Sequence, residues 1–191
     1  MWVVYVQVIK EAIKNRIDEA ALKEFLEYGF EKATMRAIAK SSGISAGNIY
    51  CYYKNKEDIL DVLISPFYNY IKKSIYSEST SYNNLNNFLA ELIYNYKSHI
   101  IILIDGCKGS KYENVKDDLI SLVKNHLKKD VFKTYANKET EVSDFVINII
   151  THNYIDGLLM IAKKFNSKEW DIKVINDLVR FYFKDCEKRL I

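Results

Sequence analysis

Residues 32 to 56 read KATMRAIAKSSGISAGNIYCYYKNK. Every formal charge in this window is positive: Lys32, Arg36, Lys40, Lys54 and Lys56. The nearest acids, Glu31 and Glu57, stand just outside it. Two short helical patterns meet at Gly43, and aromatic residues follow the second. A compact helix pair with local positive charge suits a polyanion, and this spacing points to a helix-turn-helix on DNA.

Thr34 is a good N-cap, because its hydroxyl can accept a bond from an orphan amide of the first turn. Met35, Ile38 and Ala39 recur at helical spacing and make one apolar face. Ser41 and Ser42 should fray that helix. Gly43 follows, where a residue free to adopt positive φ can end the helix and turn the chain. Ile44 should plug the gap between the helices. Ser45 is a second N-cap, opening a helix from Ala46 to about Tyr53. Ile49 and Tyr53 lie four apart and should face inward. Asn48, Cys51 and Tyr52 then lie nearer the outer face, with Ala46 and Gly47 on the exposed first turn. Asn55 caps the next helix, and Asp58 sits where a carboxylate favours a helix N-terminus.

Upstream, Ile13, Ile17, Ala21 and Phe25 step by four and define a first helix, which should end near Tyr28 with Gly29 as its C-cap residue. Taken in order, Ala20-Ala21, Phe25, Gly29-Phe30, Thr34, Ile38-Ala39, Gly43-Ile44-Ser45, Gly47, Ile49-Tyr50, Tyr52-Tyr53, Lys56-Glu57 and Leu60 resemble the tetracycline-repressor-like (TetR/AcrR) family of bacterial regulators. The resemblance covers roughly residues 10 to 64. It implies a supporting first helix, a second that crosses the phosphate backbone and a third that enters the major groove. Tyr50 and Lys56 match positions that commonly touch phosphates. Thr34, Arg36, Ser45, Gly47 and Asn48 match positions that commonly meet DNA. With Met35, Ala46 and Tyr52 beside them, these make up the expected DNA-contacting set. The chain departs from the family pattern at Ala46, Asn48, Cys51 and Tyr53, and its recognition helix carries no cation. Asn48 is the one residue there that can pair bidentately with adenine in the major groove.

At 191 residues the chain is long enough for one ordinary domain or two small ones. Its hydrophobic content of 49% excludes a disordered chain. A net charge of +3 is too small to argue nucleic-acid binding alone. Residues 1 to 66 hold nine cations and nine acids, so the DNA case depends on how the charge is segregated. Cys51, Cys107 and Cys186 are widely spaced and odd in number, which fits a reducing cytosol. No metal or cofactor motif stands out, and His99, His126 and His152 lack close ligand spacing. The apolar start, MWVVYVQVI, is no convincing signal peptide and is too short to span a bilayer. It reads as an arm or helix extension packed on its neighbours, or as the product of a misassigned start codon.

From Lys56 onward, Ile59, Leu60, Leu63, Phe67 and Ile71 continue a helical stripe. Pro66 interrupts it, which predicts a kink or break there. By the resemblance this helix joins the DNA-binding part to the effector part. The stretch from residue 77, SESTSYNN, is polar and reads as a loop beyond residue 78. Helical patterns follow at about 84 to 104, 111 to 134, 139 to 165 and 170 to 189. The run Ile100 to Ile104 reads as buried core. Residues 106 to 111, GCKGSK, lack the phosphate-loop spacing and read as a turn between helices.

The expected fold is therefore all-α. A helix-turn-helix three-helix domain over 10–66 is joined to a helical effector and dimerisation domain over 67–191. The leading function is a cytoplasmic, non-enzymatic regulator of transcription, a repressor acting as a homodimer on a palindromic double-stranded operator and released by a small-molecule effector. The alternative is a small-molecule binder or enzyme on the same scaffold without DNA binding; a protein-interaction module is a third reading. Tyr94, Tyr96, Tyr112 and Tyr154 are candidates for the effector pocket, since tyrosine offers an apolar ring and one polar tip. Phe145, Ile149, His152, Leu159 and Ala162, with Val174, Leu178, Phe181 and Cys186, are candidates for the dimer interface, which the resemblance places on the last two helices.

Overall fold

A computed structural model describes residues 2–76, 82–128, 143–164 and 167–183. Among these, every regular element is helical: α1 (Trp2–Lys32), α2 (Met35–Ser42), a short 3-10 turn (Asn48–Cys51), α3 (Lys56–Tyr76), α4 (Tyr82–Ile101), α5 (Val115–His126), α6 (Asp144–Lys163) and α7 (Lys168–Phe183). A π-helical turn, Ile102–Gly106, follows α4 directly. The all-α expectation holds.

The chain divides into two compact units that do not follow chain order. Unit 1 is Met1–Asn69 with Ile102–Glu113; unit 2 is Tyr70–Ile101 with Asn114–Ile191. The segment 102–113, which the sequence reading gave to the C-terminal domain, thus packs with the N-terminal one. Its anchors explain why. Ile102 and Leu103 are buried, and Cys107 and Tyr112 follow them inward.

In unit 1, α1 supplies Ile17, Ala20, Ala21 and Phe25 to the core, α2 supplies Ile38 and Ala39, and α3 supplies Ile59, Leu60 and Ile64. Gly29 leaves helical geometry at φ 73 and ψ 164, a kink inside α1 rather than the expected C-cap, since helical residues resume to Lys32. Val8 and Ile9 are exposed on α1 rather than packed on neighbours. Ser42 does not fray α2: it is buried, and its hydroxyl donates to the Ala39 carbonyl at 3.0 Å. Nor does Pro66 break α3, which runs unbroken from Lys56 to Tyr76. Proline removes one amide donor there, while Ile64 and Phe67 on either side are held in the core.

In unit 2, α4 packs on α6 and α7, α5 packs on α6, and α6 packs on α7. Ile147, Ile155, Leu158, Leu159 and Ala162 of α6 are buried in that core, with Ile175 and Val179 of α7. By length and composition α6 could cross a membrane, but this buried face is already covered within the unit. The helix expected from residue 111 starts only at Val115, because residues 107 to 114 form successive turns. The GCKGSK stretch is one of them: the Ser110 amide bonds the Cys107 carbonyl at 3.0 Å, and Gly109 takes φ 80. Residues 129 to 142 and 184 to 191, with Cys186, lie outside the described residues.

Candidate nucleic-acid interface

The helix-turn-helix is built from local caps. The Thr34 hydroxyl accepts the Ala37 amide at 3.1 Å and starts α2. Gly43 ends α2 in the left-handed region at φ 68. Its amide bonds the Lys40 carbonyl, and the Ile44 amide reaches back to Ala39 at 3.0 Å, the pattern of a Schellman stop. Ser45 then caps the next turn, with its side chain accepting the Asn48 amide at 3.2 Å. The expected helix Ala46 to Tyr53 is tighter than a regular α-helix. It comprises a turn at Ala46 and Gly47 and a 3-10 segment Asn48–Cys51, flanked by helical bonds from Ile49 to Ser45 and from Tyr53 to Ile49. At eight residues such a helix is too short to be stable on its own.

Behind this turn, Ile49 is fully buried and Tyr53 nearly so. The Tyr53 hydroxyl donates to the Asp18 carboxylate of α1. Burial pushes the Asp18 carboxyl above its ordinary range, against the lowering effects of the Tyr53 bond and the Lys14 charge. Burial and the Asp18 bond together raise the Tyr53 phenol, so it stays protonated. Asn55 caps α3 by accepting the Asp58 amide at 2.9 Å, and the Asp58 carboxylate returns to the Lys54 amide at 3.1 Å.

The outer face is what these supports hold up. Thr34, Arg36, Ser45, Ala46, Gly47, Asn48 and Tyr50 are all exposed on unit 1, Tyr50 by 57%. Met35 and Tyr52 are half-buried. Nothing lies within 4 Å of where a Gly47 side chain would begin, so the turn presents bare backbone. The cations Lys32, Arg36, Lys40 and Lys54 are exposed as well. Cys51 is exposed on the same turn. This arrangement can lay a polar edge into a groove while cations meet the flanking phosphates.

Lys56 is placed differently. Its ammonium donates to the carbonyls of Phe30 (2.6 Å), Ala33 (3.1 Å) and Glu31 (3.2 Å) and lies 4.3 Å from the Phe30 ring centre. Arg16 has a matching place that the sequence reading did not single out: its guanidinium donates to the Ser42 carbonyl. Both contacts join residues 26 apart, so no local pattern announced them.

The four tyrosines proposed for a pocket are not brought together. Tyr112 belongs to unit 1, where its hydroxyl donates to Asp61 and its ring meets Tyr68 edge-on at 6.3 Å. Lys111 binds the same carboxylate at 2.6 Å, and its amide donates to Glu57 at 3.0 Å. The Lys111 and Tyr112 bonds hold the Asp61 carboxyl below its ordinary range. Tyr94, Tyr96 and Tyr154 belong to unit 2. Tyr94 and Tyr96 are exposed, with Lys168 4.8 Å from the Tyr94 ring centre. Tyr154 is buried, edge-on to Tyr182 at 5.7 Å. Burial pushes the Cys107 thiol up to about 12, which keeps it an unreactive core residue.

A three-helix unit with a capped turn and an exposed polar edge defines the helix-turn-helix class. Residues 17–63 match the family described as bacterial regulatory proteins, tetR family. It is 35% identical over 60 residues to YhgD of Bacillus subtilis, an HTH-type transcriptional regulator, covering 31% of each chain. It is 26% identical over 118 residues to IcaR of Staphylococcus epidermidis, the HTH-type negative transcriptional regulator of the biofilm operon icaADBC, covering 60% of this chain and 61% of that one. The chain thus spans from about a third to under two thirds of the length of these curated relatives. The fold is similar to that of FadR from Bacillus subtilis, solved in complex with stearoyl-CoA: TM-score 0.57, 16% identity, covering 88% of this chain and 97% of that one.

Proposed function

We propose that the protein is a DNA-binding regulator of transcription, a repressor that acts as a homodimer on a palindromic operator. The observation that carries this is the exposed edge Thr34, Arg36, Ser45 to Asn48 and Tyr50, standing on the buried pair Ile49 and Tyr53. The negative regulation in IcaR's description supports the sign of the effect. Two-fold protein symmetry would be mirrored in two half-sites, and such a regulator works in the cytoplasm. Selection of bound sites from a random duplex pool tests this directly. An inverted repeat is the expected product. A pool that shows no enrichment at low salt sinks the reading.

Dimerisation has support in unit 2. On α6 Phe145 is 71% exposed and Met160 70%, with Ile149 exposed as well, and on α7 Phe181 is 66% exposed. Large apolar side chains exposed on the last two helices suit a partner surface. Leu159 and Ala162 serve the subunit's own core instead. Sedimentation of Phe145→Glu with Met160→Glu should show monomers, and an intact dimer would place the interface elsewhere.

Release by a small molecule is the remaining part of the proposal. The stearoyl-CoA complex of FadR makes acyl-chain ligands the first class to try. Tyr154 is the best placed of the tyrosines to line such a site, being buried in unit 2. An effector must bind the DNA-incompetent state more tightly, since equal affinity shifts nothing. An acyl-CoA series that leaves operator affinity unchanged would remove this ligand class.

A further inference from the structure

Lys56 ends up at a joint. The carbonyls of Phe30, Glu31 and Ala33 lie where α1 ends at Lys32 and the chain turns toward α2, and helix ends leave carbonyls without intrahelical partners. The Lys56 ammonium has three hydrogens, and three carbonyls of this joint lie at 2.6 to 3.2 Å from it. The next residue after Ala33 is Thr34, the N-cap of α2. At the other end of α2, Arg16 donates to Ser42 and lies 3.4 Å from the Gly43 carbonyl. An eight-residue helix is thus held at both ends by cations from other helices, each set on a carbonyl end where positive charge is favoured. Four other cations of the window, Lys32, Arg36, Lys40 and Lys54, are exposed.

We propose that Lys56 is a positioning residue for DNA binding: it sets the start of α2, and with Arg16 the angle of the reading turn, and it does not contact phosphate. The proposal rests on the DNA-binding reading above. A phosphate oxygen would have to displace a carbonyl from an ammonium that already has three acceptors. A planar guanidinium cannot serve three converging carbonyls from one nitrogen, so arginine should fail here, whereas at a phosphate contact it should serve well.

The test uses the full chain and a short mixed-sequence duplex, with affinity followed against salt. Losing one phosphate contact lowers the slope of log affinity on log salt by about 0.9. Arg36→Gln serves as the comparator and should lower the slope by that amount. Lys56→Gln and Lys56→Arg should each weaken binding about tenfold with the wild-type slope retained. A slope lowered by about one in Lys56→Gln, with Lys56→Arg binding as wild type, overturns the proposal. If the variants unfold, nitrogen-15 spectra of the lysine ammonium groups in the wild type decide. The Lys56 signal should be protected from exchange in the free protein and keep its shift when the duplex is added. A shift with coupling to phosphorus overturns the positioning role. Wild type that binds no duplex at low salt defeats the DNA reading itself, while a protected ammonium in that same sample would still show the joint intact.

Discussion

Helices α2 and α6 are held in opposite ways. The eight residues of α2 bury only Ile38, Ala39 and Ser42, and depend as well on points: a threonine cap, a left-handed glycine, and a guanidinium and an ammonium on carbonyl oxygens. The twenty residues of α6 depend on area, with a buried apolar face and Gly157 packed against Leu178. Area tolerates small displacements, because each contact is weak and there are many. Point contacts do not, and they fix an angle. A helix that aims a few side chains at a groove, as proposed for α2 and the turn after it, needs support by point contacts. The two should therefore fail differently under mutation.

The largest effect should come from area. Ile175→Ala on α7, where the side chain is fully buried, should cost about 2–5 kcal/mol in denaturant unfolding. Gly157→Val should also destabilise, since its first added carbon would lie 3.3 Å from Leu178. Neither should alter operator preference in the fraction that remains folded. If either did, the separation between aiming and packing would collapse.

Gly43→Ala should come next. A side chain at φ +68 costs about 1–2 kcal/mol, and its first carbon would lie 2.7 Å from the Arg16 guanidinium. Here DNA affinity should fall by more than the stability loss accounts for, because the clamp must move. Equal losses would mean that α2 keeps its angle without Arg16. Thr34→Ala should cost about 1 kcal/mol by removing the cap.

The smallest effects are electrostatic and differ in sign. Asp61 is held below its ordinary value of 3.8 by Lys111 and Tyr112, so its contribution is complete above that pH and is lost as pH falls below it. Asp61→Asn should cost roughly 0.5–1 kcal/mol at neutral pH, allowing for solvent screening, and nothing in strong acid. Asp18 is raised by burial, so its ionised form opposes folding and stability should rise as pH falls toward 3.8. Asp18→Asn should therefore be close to neutral at pH 7, or slightly stabilising. Matched pH titrations of the two variants by thermal unfolding would show slopes of opposite sign. Slopes of the same sign would refute the assignment of causes.

What could be read from the sequence follows the same divide. Thr34, Gly43, Ser45 and Asn55 act on residues one to five places away, so their chemistry shows in the string itself. The contacts that were missed join distant positions. Arg16 reaches Ser42 across 26 residues, Tyr53 reaches Asp18 across 35, and Tyr112 reaches Asp61 across 51. Lys56 was assigned by resemblance to a phosphate, and nothing nearby in sequence shows that three carbonyls converge on it. Tyr112 read as a pocket residue because the string gave its ring and not its neighbour. Pro66 predicted a break because its backbone cost is local and visible, whereas the burial of Ile64 and Phe67 that keeps α3 whole is not.

Gly47 has an ordinary right-handed backbone, φ −74 and ψ −39, and open space where a side chain would start. Folding does not require glycine there; alanine would stabilise by about 0.4–1 kcal/mol through a less flexible unfolded chain. The position is thus free to vary at no cost to the scaffold, on the turn proposed to meet the bases. If that turn reads an operator, a lineage that must change its operator can start at residue 47, where each new side chain would alter what is read before it alters what is folded.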